Sequence, residues 1–265
     1  GRLLVTLNRN PVLISWSGSM FEYLMPLLIA PAYDNTLLDQ THRNAVEQQI
    51  EYGRMRHVPW GISESGYNLT DAQLNYQYRA FGVPGLGLKR GLASDLVIAP
   101  YATMMAVMVA PREACENLKR LEADERLGIY GFYEAVDYTP SRLPPGRTSV
   151  TVRSYMAHHQ GMGFLGLAYT LLDRPMQRRF MACPLFRATD LLLQERVPNI
   201  AAKVLSEDLE RDSSRQLTGG REDEGIMRIY SSPAKHAPEV HLLSNGRYHV
   251  VVSSAGGGED VVIKP

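Results

Sequence analysis

Residues 15–26 read "SWSGSMFEYLMP", and the reading of this stretch decides the fold. Ser19-x-x-Glu22 fits a capping box, in which the serine and the glutamate satisfy free N–H groups at the start of a helix. A helix is therefore expected over residues 19–29. The same stretch sets one carboxylate, Glu22, among small, aromatic and apolar residues. That setting suits a cap or a catalyst, and both readings stay open at this point.

Outward from that helix the pattern stays helical. Apolar periodicity predicts further helices over residues 37–55, 71–81, 101–110, 112–123 and 156–172, and one or two more within 173–197. Thr70-x-x-Gln73 is a second possible capping box. Pro111 sits where it can close one helix and open the next. A short strand is expected at 149–153, "SVTVR".

Between the helices lie Gly- and Pro-punctuated loops, "HVPWGISESGYN", "FGVPGLGLKRG" and "YTPSRLPPGRT". Long loops carrying aromatics and carboxylates on a helical scaffold point to a functional face. Residues 206–224 are charged and poor in aromatics, as a solvated linker would be. Beyond them, Asn245-Gly246 between two β-prone runs predicts a hairpin.

Lys plus Arg and Asp plus Glu both number 28, so formal net charge is zero. That balance offers no basic footprint for nucleic acid or an anionic membrane. The longest apolar run, residues 96–110, is shorter than the roughly 20 residues of a spanning helix and contains Pro100. No membrane span is expected in this segment. Two distant cysteines, Cys115 and Cys183, form no disulfide framework, which suits a reducing, cytoplasmic setting.

Carboxylates recur in aromatic surroundings: Glu22, Glu64 in "WGISESGYN", and Glu134 and Asp137 in "YGFYEAVDY". Glycoside chemistry uses such residues, because apolar neighbours keep one carboxyl protonated as an acid while a second acts as nucleophile or base. Each could equally be a cap or a hydrogen-bonded loop carboxylate. In "AHHQGM", His158 and His159 are neighbours on an expected helix and do not share a face, so a two-histidine metal site is not expected. One packed and one exposed histidine is the plain reading, and hydrogen bonding to a sugar or a carboxylate is the functional one. "GVPGLGLKRG" fits neither phosphate-loop pattern and is read as a shaped turn.

Taken together, "SWSGSMFEYLMP", "VPWGISESGYN", "YQYRAFGVPGLGLKRGL", "DLVIAPYAT", "YGFYEAVDYTP" and "VRSYMAHHQGM" resemble the glycoamylase-like domain of bacterial cyclic β-1,2-glucan synthases. The end, "PEVHLLSNGRYHVVVSSAGGG", is similar to the start of the phosphorylase-like module of those synthases. The resemblance implies a mainly α chain: residues 1–197 as the C-terminal part of an (α/α)6 toroid, 198–235 as a charged linker, and 236–265 as the beginning of a β-sandwich domain.

The implied activity is retaining transglycosylation that cyclises linear β-1,2-glucan. Glu22 would be the acid/base, with Glu64 and Glu134 orienting it or the sugar, and a partner carboxylate upstream of this region. Trp60, Tyr67 and Tyr133 would be ring platforms, and Asp137, His158, His159 and Gln160 would bind glucan. No metal or organic cofactor is required. The implied setting is a larger membrane-bound synthase, with this segment on the cytoplasmic face of the inner membrane. An endo-β-1,2-glucanase and a non-catalytic glucan-binding scaffold are the alternatives.

Overall fold

A computed structural model describes residues 4–7, 10–197, 240–244, 248–253 and 258–262. The chain falls into two units, Gly1–Gly219 and Gly220–Pro265. The first opens with an antiparallel hairpin, β1 (Leu4–Leu7) and β2 (Asn10–Leu13). Helix α1 (Met20–Leu24) follows and passes into a 3-10 turn at Pro26–Leu28. The α-helix expected to reach residue 29 stops early because Pro26 has no N–H to continue the ladder.

Helix α2 (Leu37–Met55) is capped by Thr36, whose Oγ accepts the Asp39 N–H at 3.2 Å. The next segment departs from expectation. Residues 71–81 are not a helix: β3 (Ser65–Thr70) and β4 (Tyr76–Arg79) form an antiparallel pair. Thr70 caps nothing, and Asp71 closes the turn instead, accepting the N–H groups of Gln73 and Asn75, each at 2.9 Å. Tyr76 and Tyr78 alternate with Gln77 and Arg79, a period of two that suits a strand.

Strand β5 (Val97–Ile98) leads to α3 (Pro100–Ala106) and α4 (Pro111–Ala123); Pro111 opens α4 as expected, while α3 starts at Pro100, one residue before the expected start, and ends at residue 106 rather than 110. A small pair, β6 (Leu127–Gly128) with β7 (Gly131–Phe132), precedes β8 (Ala135–Asp137) and β9 (Val150–Val152). β5, β8 and β9 form one antiparallel sheet with β8 in the centre. Helix α5 (Ala157–Leu171) packs along α3. Three short helices follow, α6 (Pro175–Ala182), α7 (Pro184–Arg187) and α8 (Asp190–Leu193), where one or two were expected, because Pro184 interrupts the run.

The core joins Met20 and Leu24 of α1, Val46 of α2, Ile98 of β5, Met105 of α3 and Val152 of β9, all essentially without solvent exposure. Each such side chain contributes about 1.5–3 kcal/mol by burial. This core fixes α1 and the loops around it, which carry the acidic residues.

In the second unit β10 (Val240–Ser244), β11 (Tyr248–Ser253) and β12 (Gly258–Val262) form an antiparallel sheet, with Ser244 opposite His249. The two runs flanking Asn245-Gly246 thus pair as a hairpin. The turn itself and the expected linker at 198–235 lie outside the described residues. Among the described residues no helix is long and apolar enough to cross a membrane.

Candidate active site

Glu22 lies in the first turn of α1, and half of the capping box forms. Ser19 Oγ accepts the Glu22 N–H at 3.2 Å. The Glu22 carboxylate turns instead to Ser17, which donates its hydroxyl at 2.7 Å and its N–H at 3.0 and 3.2 Å. Burial pushes the Glu22 pKa up, but hydrogen bonds from the Ser17 and Ser15 side chains and from the Ser17 and Ser19 backbone outweigh it. The net result is a lowered pKa and an ionised carboxylate at rest. Trp16 is largely exposed, so it does not cover the group as its place in sequence suggested.

The glycine-rich loop after β4 supports this arrangement. Lys89 N–H donates to Trp16 O at 2.8 Å, Leu88 N–H to Ser15 O at 3.0 Å, and Val83 N–H to Gly18 O at 3.2 Å. Backbone meets backbone there: a Cβ on Gly82 would sit 1.7 Å from Ser17 O, and one on Gly18 2.9 Å from Gly87 N. Gly18 also needs its positive φ of 71°. The loop that superficially resembles a phosphate cradle is the buttress of the Glu22 carboxylate.

Glu64 is tied to α1 by a directional chain. Phe21 N–H donates to Ser63 Oγ at 2.9 Å, Ser63 Oγ lies 2.8 Å from the Tyr101 hydroxyl, and Tyr101 donates to Glu64 O at 2.9 Å. With Tyr101 donating onward, Ser63 must donate to Tyr101. Met20 N–H also donates to Ile62 O at 3.1 Å. Glu22 and Glu64 are thus the residues next in sequence to the two ends of one hydrogen bond, Phe21 to Ser63.

Behind Glu64, Glu134 and His159 form a buried pair. His159 Nδ1 is 3.0 Å from each Glu134 oxygen, and Glu134 Oε1 also accepts the Gly66 N–H at 3.0 Å. His159 Nε2 is 3.2 Å from the Tyr78 hydroxyl. Burial raises the Tyr78 pKa, with the carboxylates of Glu64 and Glu134 adding to it. His158 is exposed beside its packed neighbour, and burial followed by His159 lowers its pKa.

Some expected binding residues hold structure instead. Trp60 is in the core, its carbonyl accepting from Thr103 and Asn117 and its N–H donating to Asn117. A buried indole offers no face to a sugar, which corrects its reading as a platform. Asp137 is fully buried and accepts from Asn68, Thr139 and Arg142; these bonds occupy both oxygens, which corrects its reading as a glucan ligand. Tyr67 packs edge-on against Phe81, with the Arg142 guanidinium 4.9 Å and that of Arg79 5.7 Å from its ring centroid. Its face binds cations of the chain itself. Tyr133 packs with Tyr155 under Arg153, and Gln160 donates to Phe132 O at 3.2 Å, both on a partly open face apart from the core.

The sequence reading missed Ser17, Ser63, Tyr78 and Tyr101. Ser17 stands five residues before Glu22, within reach of a bent loop, but Tyr78 lay in a segment read as helix. Tyr101 lay inside an apolar run, and no sequence signal distinguishes it from core filler. Among the described residues no group of three or more His, Cys, Asp or Glu is placed to hold a metal ion.

Comparison with known proteins gives this geometry a setting. The Glycoamylase family model matches residues 3–184, and the model for the glycosyl hydrolase 94 supersandwich domain matches residues 223–261. Cyclic beta-(1,2)-glucan synthase NdvB of Rhizobium meliloti (strain 1021) is 43% identical over 262 residues, 97% of this chain. The chain spans 9% of that protein's length. The endo-beta-1,2-glucanase of Chitinophaga pinensis, solved with sophorotriose and glucose, superposes with a TM-score of 0.51 at 19% identity, over 73% of this chain and 46% of its own. That likeness concerns the fold, the mainly helical (α/α)6 toroid.

Proposed function

The chain belongs to the Glycoamylase family, and on that premise we propose that it is a glycoside-transfer segment of a cyclic β-1,2-glucan synthase. The observation that carries the reading is the Glu22 carboxylate held ionised by Ser17 in the first turn of α1, in a chain 43% identical to a protein named for that synthesis. Glycosidic bond exchange uses a second carboxyl group beside the acid/base, and the resemblance places that partner upstream of this region. Glu22 serves as acid/base, and Glu64 orients it or the sugar. Held ionised by Ser17, Glu22 is ready to take a proton from an incoming hydroxyl. A glucan that displaces the remaining water strengthens the burial effect and raises its pKa toward the acid form.

If the incoming hydroxyl belongs to the same glucan chain, a ring closes; if it belongs to water, the glucan is cut. His158, Gln160 and Tyr133 supply sugar contacts, while Glu134 and His159 act from behind. The chemistry needs neither metal nor organic cofactor. The expected context is a larger membrane-bound enzyme, with this segment on the cytoplasmic side and a β-sandwich module beginning near residue 236.

The test is to place Glu22→Gln and Glu64→Gln in the full-length gene product and analyse products from linear β-1,2-glucan. Loss of a general acid/base lowers turnover by about 10²–10⁴-fold. Unchanged turnover in Glu22→Gln removes it from that role. Rings or longer chains identify transfer. Short linear oligosaccharides identify the hydrolytic alternative, and glucan binding without turnover identifies a scaffold.

A further inference from the structure

Apart from the acidic site, a cavity of about 400 Å³ opens beside the glycine-rich loop, a size within the range of small-molecule pockets. Three cationic side chains line it, Arg79 at the end of β4 and Lys89 and Arg90 on the loop, against one carboxylate, Asp95. That carboxylate is already engaged. It accepts from Arg79 and from Arg142, whose guanidinium also bonds Asp137 at 2.7 Å. Lys89 Nζ donates to Ala80 O at 3.0 Å, and neither Lys89 nor Arg90 pairs with a carboxylate among the described residues. Three cations against one carboxylate leave an excess of two positive charges around the cavity.

The cations are also held ready. The Arg79 guanidinium lies 5.1 Å from the Phe81 ring centroid and 5.7 Å from that of Tyr67, which fixes its plane, and its bond to Asp95 leaves N–H groups of the fork for a ligand. The bond from Lys89 to Ala80 O likewise leaves ammonium protons to donate. A neutral sugar finds little here. Phe81, the aromatic residue of the lining, is buried with Arg79 over its ring, so the cavity offers no open face for stacking.

We propose that this cavity binds a phosphate group, free or carried on a small molecule, with Arg79 and Arg90 holding its oxygens and Lys89 adding charge. A phosphate ester carries about −1.5 to −2 at neutral pH, which matches the excess of two, whereas a carboxylate answers only half of it. The site is not a phosphate loop, in which backbone N–H groups cradle the anion. Here the loop backbone is engaged with residues 15–18, Lys89 N–H on Trp16 O and Leu88 N–H on Ser15 O, and the binding groups are side chains. Gly82 both lines the cavity and packs on the Ser17 carbonyl, so the ligand sits against the loop that braces Glu22. The inference goes beyond the glucan reading and does not depend on it.

NMR on the nitrogen-labelled full chain, at fixed ionic strength, tests it with inorganic phosphate and glucose 6-phosphate titrated separately. Saturable shifts are expected at the Gly82, Gly91 and Leu92 amides and at the Arg79 and Arg90 side chains; the tighter of the two probes tells a free from an esterified group. Arg90→Gln, at an exposed side chain, and Arg79→Gln should each weaken binding about tenfold. Should Arg79→Gln not fold, Arg90→Gln carries the test alone. Arg112, exposed on α4 and paired with Glu116 at 3.1 Å, is the internal control. Equal shifts at Arg112 mean general ion screening and overturn the site. So do an absence of saturation at millimolar phosphate, undiminished binding in Arg90→Gln, or a response of the same amides to linear β-1,2-glucan and to neither phosphate. Turnover does not enter, so the outcome for Glu22→Gln bears on the glucan reading alone.

Discussion

Ser17→Ala isolates the hydrogen bond that holds Glu22 ionised. The hydroxyl donates at 2.7 Å to one carboxylate oxygen, and its removal leaves the Ser17 N–H, at 3.0 and 3.2 Å, with the smaller effects of Ser15 and Ser19. A hydrogen bond to a charged group contributes about 1.5–3 kcal/mol. Glu22 is half-buried and water can replace part of the lost bond, so the lower end, about 1.5 kcal/mol, applies. The loss falls on the charged form, so the Glu22 pKa should rise.

The sign of the stability change follows from the same shift. Because folding lowers the Glu22 pKa below its ordinary 4.5, the stabilisation is present above that value and is lost as pH falls through the folded pKa. Ser17→Ala should therefore cost about 1.5 kcal/mol at neutral pH and much less in acid, where Glu22 is protonated in both states. Carboxyl-carbon NMR titration measures the first quantity, and urea unfolding at the two pH values measures the second. An unmoved Glu22 midpoint, or an equal stability loss at both pH values, refutes the idea that Ser17 acts on the charge.

Two further substitutions probe the frame around the site. Gly82→Ala places a methyl group 1.7 Å from Ser17 O, so backbone must move; a loss of about 3 kcal/mol in urea unfolding is expected, together with an upward shift of the Glu22 midpoint. Gly161→Ala in α5, where a Cβ meets nothing within 4 Å, is the control and should gain about 0.5–1 kcal/mol. His42 in α2 is buried, which lowers its pKa from 6.5 to about 4 against a small opposing effect of Asp39. The unfolded chain takes up that proton first, so stability should rise with pH between those two values, by at most about 3 kcal/mol. His42→Asn should flatten that slope, and a slope unchanged in the variant assigns it to other groups.

Helix starts were legible wherever a single local rule governed them. Ser19 and Thr36 cap α1 and α2 by their own hydroxyls, and Pro111 opens α4. The one element read in the wrong class, residues 71–81, had two rules in conflict. A cap-like Thr70 and an apolar scatter favoured a helix, while the alternating tyrosines favoured a strand. Pairing with β3 decided for the strand, and pairing is a tertiary fact that no local window contains. That error also hid Tyr78, because a tyrosine assigned to a helix gives no hint of a partner at His159. Trp60 and Asp137 show the reverse failure. Their aromatic and acidic neighbours resemble a sugar site, yet the same side chains satisfy buried backbone and a buried arginine.

The glycine-rich loop shows why a site of this kind is hard to see in sequence. Its residues touch no reacting group, but Gly82 and Gly87 admit the Ser15–Gly18 backbone at distances that any side chain would forbid. That contact sets the direction of the Ser17 N–H and hydroxyl, and those donors set the charge of Glu22. Acid strength at residue 22 is thus decided some sixty residues downstream, through backbone packing rather than through charge. It follows that a substitution in the loop which preserves every charge, such as Gly82→Ala, should shift the Glu22 midpoint in the same direction as Ser17→Ala. The two effects should also fail to add, because both remove the same donor geometry.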